Sequence, residues 1–430
     1  MKSSGEEEES QIQHEAAEGS MLSQGMSLAS QPSLPSLPSL GTNDLSTSAS
    51  LHQCISTIKV HSSSSYVSAL AVDGDSLYMA SSDGSIRLWT LDNERRRQEQ
   101  AEQQDDSCSS TASTTAADTN SPVKSLLATG NGGLLLSSHQ DGKIRAWRAG
   151  SRRDGDWQLV LCTVLPTAVD RLRTCLLPWS YVEVRRHRRR TWVHHVDAVT
   201  ALAVSPDGAL LYSTSWDRSL KVWRLPNFRC VESIAPAHDD AINALAVSPD
   251  GRVYTGSADK KIKVWRRGPG QKKHALVGTM ERHLSAVNAL ALGANGVVLY
   301  SGACDRSVVV WESADDGGGG MEATGTLRGH AKAILCLAAA GEIVCSGSAD
   351  RTVRVWRRGA DKVYTCLAVM ESHGTAVKSL ALVRGRDHGP CSSETGSSSH
   401  NSSTLICSGA LDGDVKIWSV FLPCSLLESS

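Results

Sequence analysis

Seven times along this chain an aspartate is followed six residues later by a tryptophan. The pairs are Asp83 and Trp89, Asp141 and Trp147, Asp217 and Trp223, Asp259 and Trp265, Asp305 and Trp311, Asp350 and Trp356, and Asp412 and Trp418. Imidazoles join the pattern, because His61, His195, His238, His283 and His330 each precede a tryptophan by 26 to 28 residues. Six of the aspartates also carry a hydroxyl four residues upstream, on Ser137, Ser213, Thr255, Ser301, Ser346 or Ser408. Carboxylate, imidazole and hydroxyl are the parts of an activated nucleophile, and His with Asp also ligates metals. Repetition argues against both chemistries, since an active site or a metal centre would occur once. A buried carboxylate must be paired, and imidazole, hydroxyl and indole N–H can all donate to it, so the repeated set reads as a structural hydrogen-bond network. No catalytic residue, cofactor or metal site is expected. The chain holds no GxSxG, phosphate-binding glycine loop or HExxH, and Ser121-Pro-Val-Lys124 is a chance match to SxxK in a loop. Its 12 cysteines form no CxxC pair, and Cys336, Cys345 and Cys407 fall inside strand patterns, which reads as buried free thiols in a reducing compartment.

The elements that must hold this network are strands. Between Trp223 and Trp356 the tryptophans are spaced 42, 46 and 45 residues apart. Within one such unit, residues 241–247 form an apolar strand and Ser248-Pro-Asp-Gly251 a turn. Residues 253–257, 261–265 and 275–280 follow as three further strands. Four antiparallel strands make one propeller blade, so seven units predict an all-β fold, a single seven-bladed β-propeller over residues 51–422. After Trp418 too little chain remains for an outer strand, and the alternating segment 53–60 before the first repeat is expected to supply it and close the ring. The Asp, His, Ser/Thr and Trp set at this period resembles the WD40 family, whose blades lock the turn between second and third strands with such a network. Blade two departs from it, with Ser121 and Pro122 where the histidine should stand, so its network is expected to be incomplete.

Outside the repeats the composition changes. Residues 1–50 are rich in serine and proline, with an acidic run at Glu6–Glu9 where a secretion signal would carry positive charge, and read as a disordered tail. Residues 92–121 and 384–404 read as low-complexity insertions, and 423–430 as a short tail. A longer insertion at 148–194 contains 157–164 as an outer strand and then Arg185-Arg-His-Arg-Arg-Arg190, a nuclear-import or phosphate-binding patch or else a solvated ridge. With 44 basic against 45 acidic residues, no global field draws the chain to nucleic acid or membrane. No apolar run is long enough to cross a bilayer. Cytoplasm and nucleus are the expected locations.

The stretches Ser138-His-Gln-Asp-Gly-Lys-Ile-Arg145, Tyr181–Trp223 and Cys230–Asp240 are more particular than a generic repeat. They resemble the plant WD40 family typified by JINGUBANG, over roughly residues 50–420. The resemblance implies a non-enzymatic regulatory adaptor in plant development that binds other proteins, transcription factors among them. Two alternatives are a nuclear nucleic-acid-associated factor acting through 185–190 and a ubiquitin-ligase substrate receptor. The second is disfavoured because Thr90, Arg148, Arg224, Arg266, Glu312, Arg357 and Ser419 stand where such receptors carry aspartate after the tryptophan. The residue following each turn aspartate should point toward one face, giving Gly84, Gly142, Arg218, Lys260, Arg306, Arg351 and Gly413. Trp216, Arg218, Lys260, Arg306 and Arg351 are thus the expected face for an acidic peptide; the competing reading is that the basic residues complete the turn and Trp216 packs on a neighbouring loop.

Overall fold

Strand pairing sets the architecture of the computed structural model, which describes residues 52–59, 65–91, 114–130, 133–151, 157–170, 193–313, 320–359, 361–371, 373–384 and 402–422. Strand β1 spans His52–Lys59. Blade one takes β2 (Val67–Asp73), β3 (Ser76–Ser81), β4 (Ser85–Thr90) and β5 (Thr114–Asp118). Blade two takes β6 (Val123–Ala128), β7 (Leu134–His139), β8 (Ile144–Ser151) and β9 (Trp157–Leu165). Blade three takes β10 (Val199–Val204), β11 (Leu210–Ser215), β12 (Leu220–Arg224) and β13 (Arg229–Ile234). Blade four takes β14 (Ile242–Val247), β15 (Val253–Ser257), β16 (Lys261–Arg266) and β17 (Ala275–Glu281). Blade five takes β18 (Val287–Gly293), β19 (Val298–Ala303), β20 (Val308–Ser313) and β21 (Met321–Leu327). Blade six takes β22 (Ile334–Ala340), β23 (Ile343–Ser348), β24 (Val353–Arg358) and β25 (Tyr364–Met370). Blade seven has β26 (Val377–Arg384), β27 (Ser402–Ala410) and β28 (Asp414–Leu422), and β1 is its fourth strand.

Each blade is a four-stranded antiparallel sheet, so the chain forms a seven-bladed β-propeller. β1 pairs with β28 from His52 opposite Val420 to Lys59 opposite Asp414, which joins the two ends of the ring in one sheet. The loop expected at 92–121 is shorter than the composition suggests. Thr114–Asp118 forms β5 on the open edge of β4, where β-branched threonines suit a half-exposed strand and the β4 backbone gains its partners. The insertion expected at 384–404 is likewise trimmed by the ends of β26 and β27. The N-terminal tail, the Arg185–Arg190 run, His61 and the C-terminal residues lie outside the described residues.

The core is not one mass but seven seams, one between each pair of adjacent blades. Each repeat tryptophan is buried in the seam with the preceding blade. Trp265 of blade four meets Leu220 and Val222 of blade three, and Trp311 of blade five meets Tyr254 and Val264 of blade four. The closing seam sets Ile58, Val415 and Ile417 against Val67, Leu77 and Trp89. A blade alone would leave both broad apolar faces in water, so the ring is stable only when neighbours cover them.

Register defines two faces. The first residue of each first strand lies beside the last residue of the second, as Val199 beside Ser215, so the incoming loop and the second-to-third turn share one face, here the upper face. The first-to-second and third-to-fourth turns share the lower face.

Candidate functional site

The repeated polar set meets on the upper side of each blade. In blade four the Trp265 indole N–H donates to Thr255 Oγ1 at 2.9 Å, and His238 Nε2 lies 2.7 Å from the same oxygen. His238 Nδ1 sits 2.8 Å from Asp259 Oδ2. A carboxylate only accepts, so Nδ1 carries the proton and Nε2 accepts the threonine hydroxyl. Asp259 also accepts the backbone N–H of Asp239 at 3.1 Å and of Lys261 at 3.0 Å, which ties the incoming loop to the turn. Burial alone would raise this carboxyl, but the hydrogen bonds from His238 and from the Lys261 and Asp239 N–H groups outweigh it and hold the group at about 2. Blade five repeats the arrangement with Trp311, Ser301, His283 and Asp305. Blade six does so with Trp356, Ser346, His330 and Asp350. Blade three does so with Trp223 and His195 on Ser213, where Asp217 Oδ2 is 3.4 Å from His195 Nδ1 and Ser219 lies between them at 2.8 Å.

The other three blades depart. In blade two an imidazole from within the second strand takes the place of the missing one, but it does not reach the aspartate, so the network is incomplete as expected. His139 Nε2 reaches Ser137 Oγ at 2.7 Å, and Nδ1 meets the Ser121 carbonyl at 3.1 Å. The Trp147 indole still donates to Ser137 at 2.8 Å. With its histidine bonded elsewhere, Asp141 is taken by Arg145 at 2.9 Å and Lys143 at 3.3 Å. In blade seven the imidazole is His373, 2.7 Å from Ser408, which in turn accepts the Trp418 indole at 2.8 Å. Spacing hid this histidine, because the insertion between β26 and β27 lengthens its distance to the tryptophan. The Asp412 carboxylate accepts Gly374 N–H at 3.0 Å but leaves His373 Nδ1 buried without a partner. Blade one has Met79 where the hydroxyl belongs, and the Trp89 indole N–H is buried with no partner.

The residue after every turn aspartate is left-handed, with φ of 66° at Arg218, 72° at Lys260, 68° at Arg306 and 74° at Arg351. Gly84, Gly142 and Gly413 take the same conformation in the other blades. At Gly142 a Cβ would stand 2.8 Å from the His195 carbonyl, so the next blade's loop demands glycine there. The four basic side chains sit where glycine is the unstrained choice, at a cost of about 1 kcal/mol each.

The expected basic arc divides in two. Trp216 is half-buried, with the Lys124 ammonium of blade two 4.9 Å above its ring, and Arg218 turns toward the Asp239 carbonyl at 3.5 Å. These two side chains bridge blades. Around them and Lys260 stand exposed Asp197, Asp239 and Asp240, which offset their charge. Across blades five to seven the balance reverses: Arg306, Arg328, Lys332, Arg351 and Lys378 are all exposed, and none forms an ion pair among the described residues. Asp305 and Asp350 are committed to histidines, Glu281 to Lys261, and exposed Glu371 stands at the margin. Leu284 and Leu411, 53% and 37% exposed, add apolar surface to this sector. Reading only the residue after the aspartate misses Arg328, Lys332 and Lys378, which come from the incoming loops and the inner strand β26.

The family model described as "WD domain, G-beta repeat" matches residues 52–90, 186–224, 228–266, 274–312, 321–357 and 364–419. The chain belongs to the WD40-repeat family. Blade two falls between the first two matched stretches, and it is the blade whose imidazole comes from an unusual position. The solved WD40 β-propeller domain of Doa1 is similar in fold, with a TM-score of 0.57 at 19% identity over 85% of this chain and 96% of that one. Among curated relatives, human Striatin-4 is 57% identical over 42 residues, 10% of this chain and 6% of its own. Protein ROOT INITIATION DEFECTIVE 3 of Arabidopsis thaliana is 29% identical over 214 residues, 44% of this chain and 48% of its own. The chain thus spans less than half the length of either relative. WD40 propellers are generally non-enzymatic scaffolds that bind other proteins.

Proposed function

We propose that this WD40 protein is a non-enzymatic adaptor that docks an acidic segment of a partner protein on the basic sector of its upper face. The observation that carries the reading is the cluster Arg306, Arg328, Lys332, Arg351 and Lys378, exposed on a rigid ring and in no ion pair among the described residues, where the cations outnumber the nearby carboxylates of Asp305, Asp350, Glu371 and Asp412. Arginine is favoured at interface hot spots, and such a field speeds encounter with an acidic partner. The exposed Leu284 supplies the apolar contact that charge alone lacks. Plant developmental regulation, of the kind associated with the JINGUBANG type, and transcription-factor partners fit the sequence resemblance. The likeness to a plant protein named for root initiation supports that setting. Cytoplasm and nucleus remain the proposed locations, with Arg185–Arg190 as the import signal.

Affinity capture from plant extract tests this, comparing the natural chain with an Arg306→Glu, Arg328→Glu, Arg351→Glu variant whose circular dichroism is unchanged. The expected result is loss of specific partners, and identical partner sets would overturn the reading. The nucleic-acid alternative makes a different demand: binding through Arg185–Arg190 would fall steeply with salt and survive the triple substitution.

A further inference from the structure

The lower face carries a second concentration of charge, on the rim of blades three and four. Arg224 and Arg229 flank the third-to-fourth turn of blade three, and Arg266, Arg267, Lys272 and Lys273 crowd the same turn of blade four. All six are exposed, and none makes an ion pair among the described residues. Two carboxylates stand near these six cations, and Asp207 is felt by Arg267. Asp207 accepts the Ser205 hydroxyl and the Ala209 N–H, and Asp250 accepts the Ser248 hydroxyl and holds Arg252 at 2.9 Å. In a chain of net charge −1 this is a strong local departure.

The turn is rooted and does not hang free. His274, its last residue, donates its backbone N–H to the buried Glu232 of β13 at 2.9 Å and sets Nδ1 2.7 Å from the same carboxylate. On its other side, Tyr212 Oη of β11 lies 3.2 Å from Nε2. Blade four's basic turn is therefore clamped to two strands of blade three, which brings the two groups of cations side by side and limits the ordering needed on binding.

Directly after this turn, β17 exposes aliphatic surface. Its ladder with β16 skips a residue, with Val264 opposite Gly278 and Trp265 opposite Leu276, so Val277 is the extra residue of a bulge. Leu276 and Val277 are 47% and 57% exposed on the outermost strand of the blade, whose far edge has no strand beside it among the described residues. Among the described residues no tryptophan or tyrosine is exposed beside them to stack a base, and aliphatic surface gains nothing against a phosphate backbone.

We propose that the lower rim of blades three and four docks an extended protein segment combining carboxylates with aliphatic residues, laid along the open edge of β17. Its aliphatics cover Leu276 and Val277, its carboxylates meet the six cations, and main-chain bonds to the edge add strand-type affinity. This surface is independent of the upper-face reading and lies on the opposite side of the ring.

The test uses the full chain carrying Arg306→Glu, Arg328→Glu and Arg351→Glu, so that binding at the upper sector does not contribute. The probe is a fluorescein-labelled peptide of alternating glutamate and leucine, followed by anisotropy. It binds this protein, more weakly as salt rises. Adding Arg266→Glu, Arg267→Glu, Lys272→Glu and Lys273→Glu lowers affinity by at least about tenfold, and Leu276→Ser with Val277→Ser lowers it severalfold. Failure of the probe to bind, or equal binding by the charge-reversed protein, would overturn the proposal. So would capture by phosphatidylserine-containing vesicles or duplex DNA through the same cations in a protein that ignores the peptide.

Discussion

Blade four and blade one share the same four-strand plan and differ in what surrounds the tryptophan. In blade four a threonine hydroxyl joins indole to imidazole, and the imidazole joins that pair to a carboxylate that also holds the incoming loop. In blade one Met79 replaces the hydroxyl, and the Trp89 N–H is left buried and unpaired, yet Trp89 still fills its seam with Leu77 and Ile58. Packing of the indole between blades is therefore the part every blade keeps, and the hydrogen bonds are added to it.

The largest expected effect comes from making blade four resemble blade one. Thr255→Val keeps shape but strands the Trp265 N–H and His238 Nε2 in the seam, and should cost about 2–4 kcal/mol, read from the urea midpoint. A cost near zero would mean that the network adds nothing to packing.

Acid should separate the blades next. Burial, aided at His139 by the Arg145 charge, holds His139 and His373 down at about 4, against about 6.5 in the unfolded chain. As pH falls through that window the unfolded chain takes up protons that the folded chain refuses, so stability is complete above about 6.5 and drains toward about 4. Asp259 and Asp305, held at about 2 against 3.8, lose their contribution only at lower pH. His139→Gln with His373→Gln should flatten the limb between about pH 6.5 and 4 and leave the steeper acid limb in place; an unchanged upper limb would contradict the assignment.

A smaller effect is expected from repairing blade one. Met79→Thr offers the Trp89 N–H an acceptor worth about 1 kcal/mol but takes a fully buried thioether out of the closing seam, so it should destabilise less than Met79→Ala, seen as the higher melting temperature of the two variants. Smallest of all is Arg351→Gly. Relief of about 1 kcal/mol of left-handed strain is offset by a similar entropy loss, so the melting temperature should hardly move while partner affinity falls. Retained affinity would return Arg351 to a turn-completing role.

These contrasts also show what the sequence could and could not reveal. Seven tryptophans at a fixed distance from aspartates exposed the blades, because each seam needs one large indole and each turn one carboxylate. His373 and the stand-in His139 escaped, since hydrogen bonding depends on where a ring arrives in space and an insertion or a shift along a strand leaves no fixed spacing. Thr114–Asp118 escaped because an outer strand of one blade needs little hydrophobic pattern. The basic surface was half legible. Counting one position per turn found Arg306 and Arg351, but the neutralising Asp197, Asp239 and Asp240, and the reinforcing Arg328, Lys332 and Lys378, belong to loops that only the ring brings together.

The central claim is that the groups holding the ring and the groups receiving a partner are separate sets. The most direct measurement takes two variants, Thr255→Val and the Arg306→Glu, Arg328→Glu, Arg351→Glu triple, and records partner capture for each at a temperature well below both melting transitions. Thr255→Val, though less stable, is expected to retain the partner, and the triple variant, though as stable as the natural chain, to lose it. Full capture by the triple variant, or loss of capture by folded Thr255→Val, would contradict that claim.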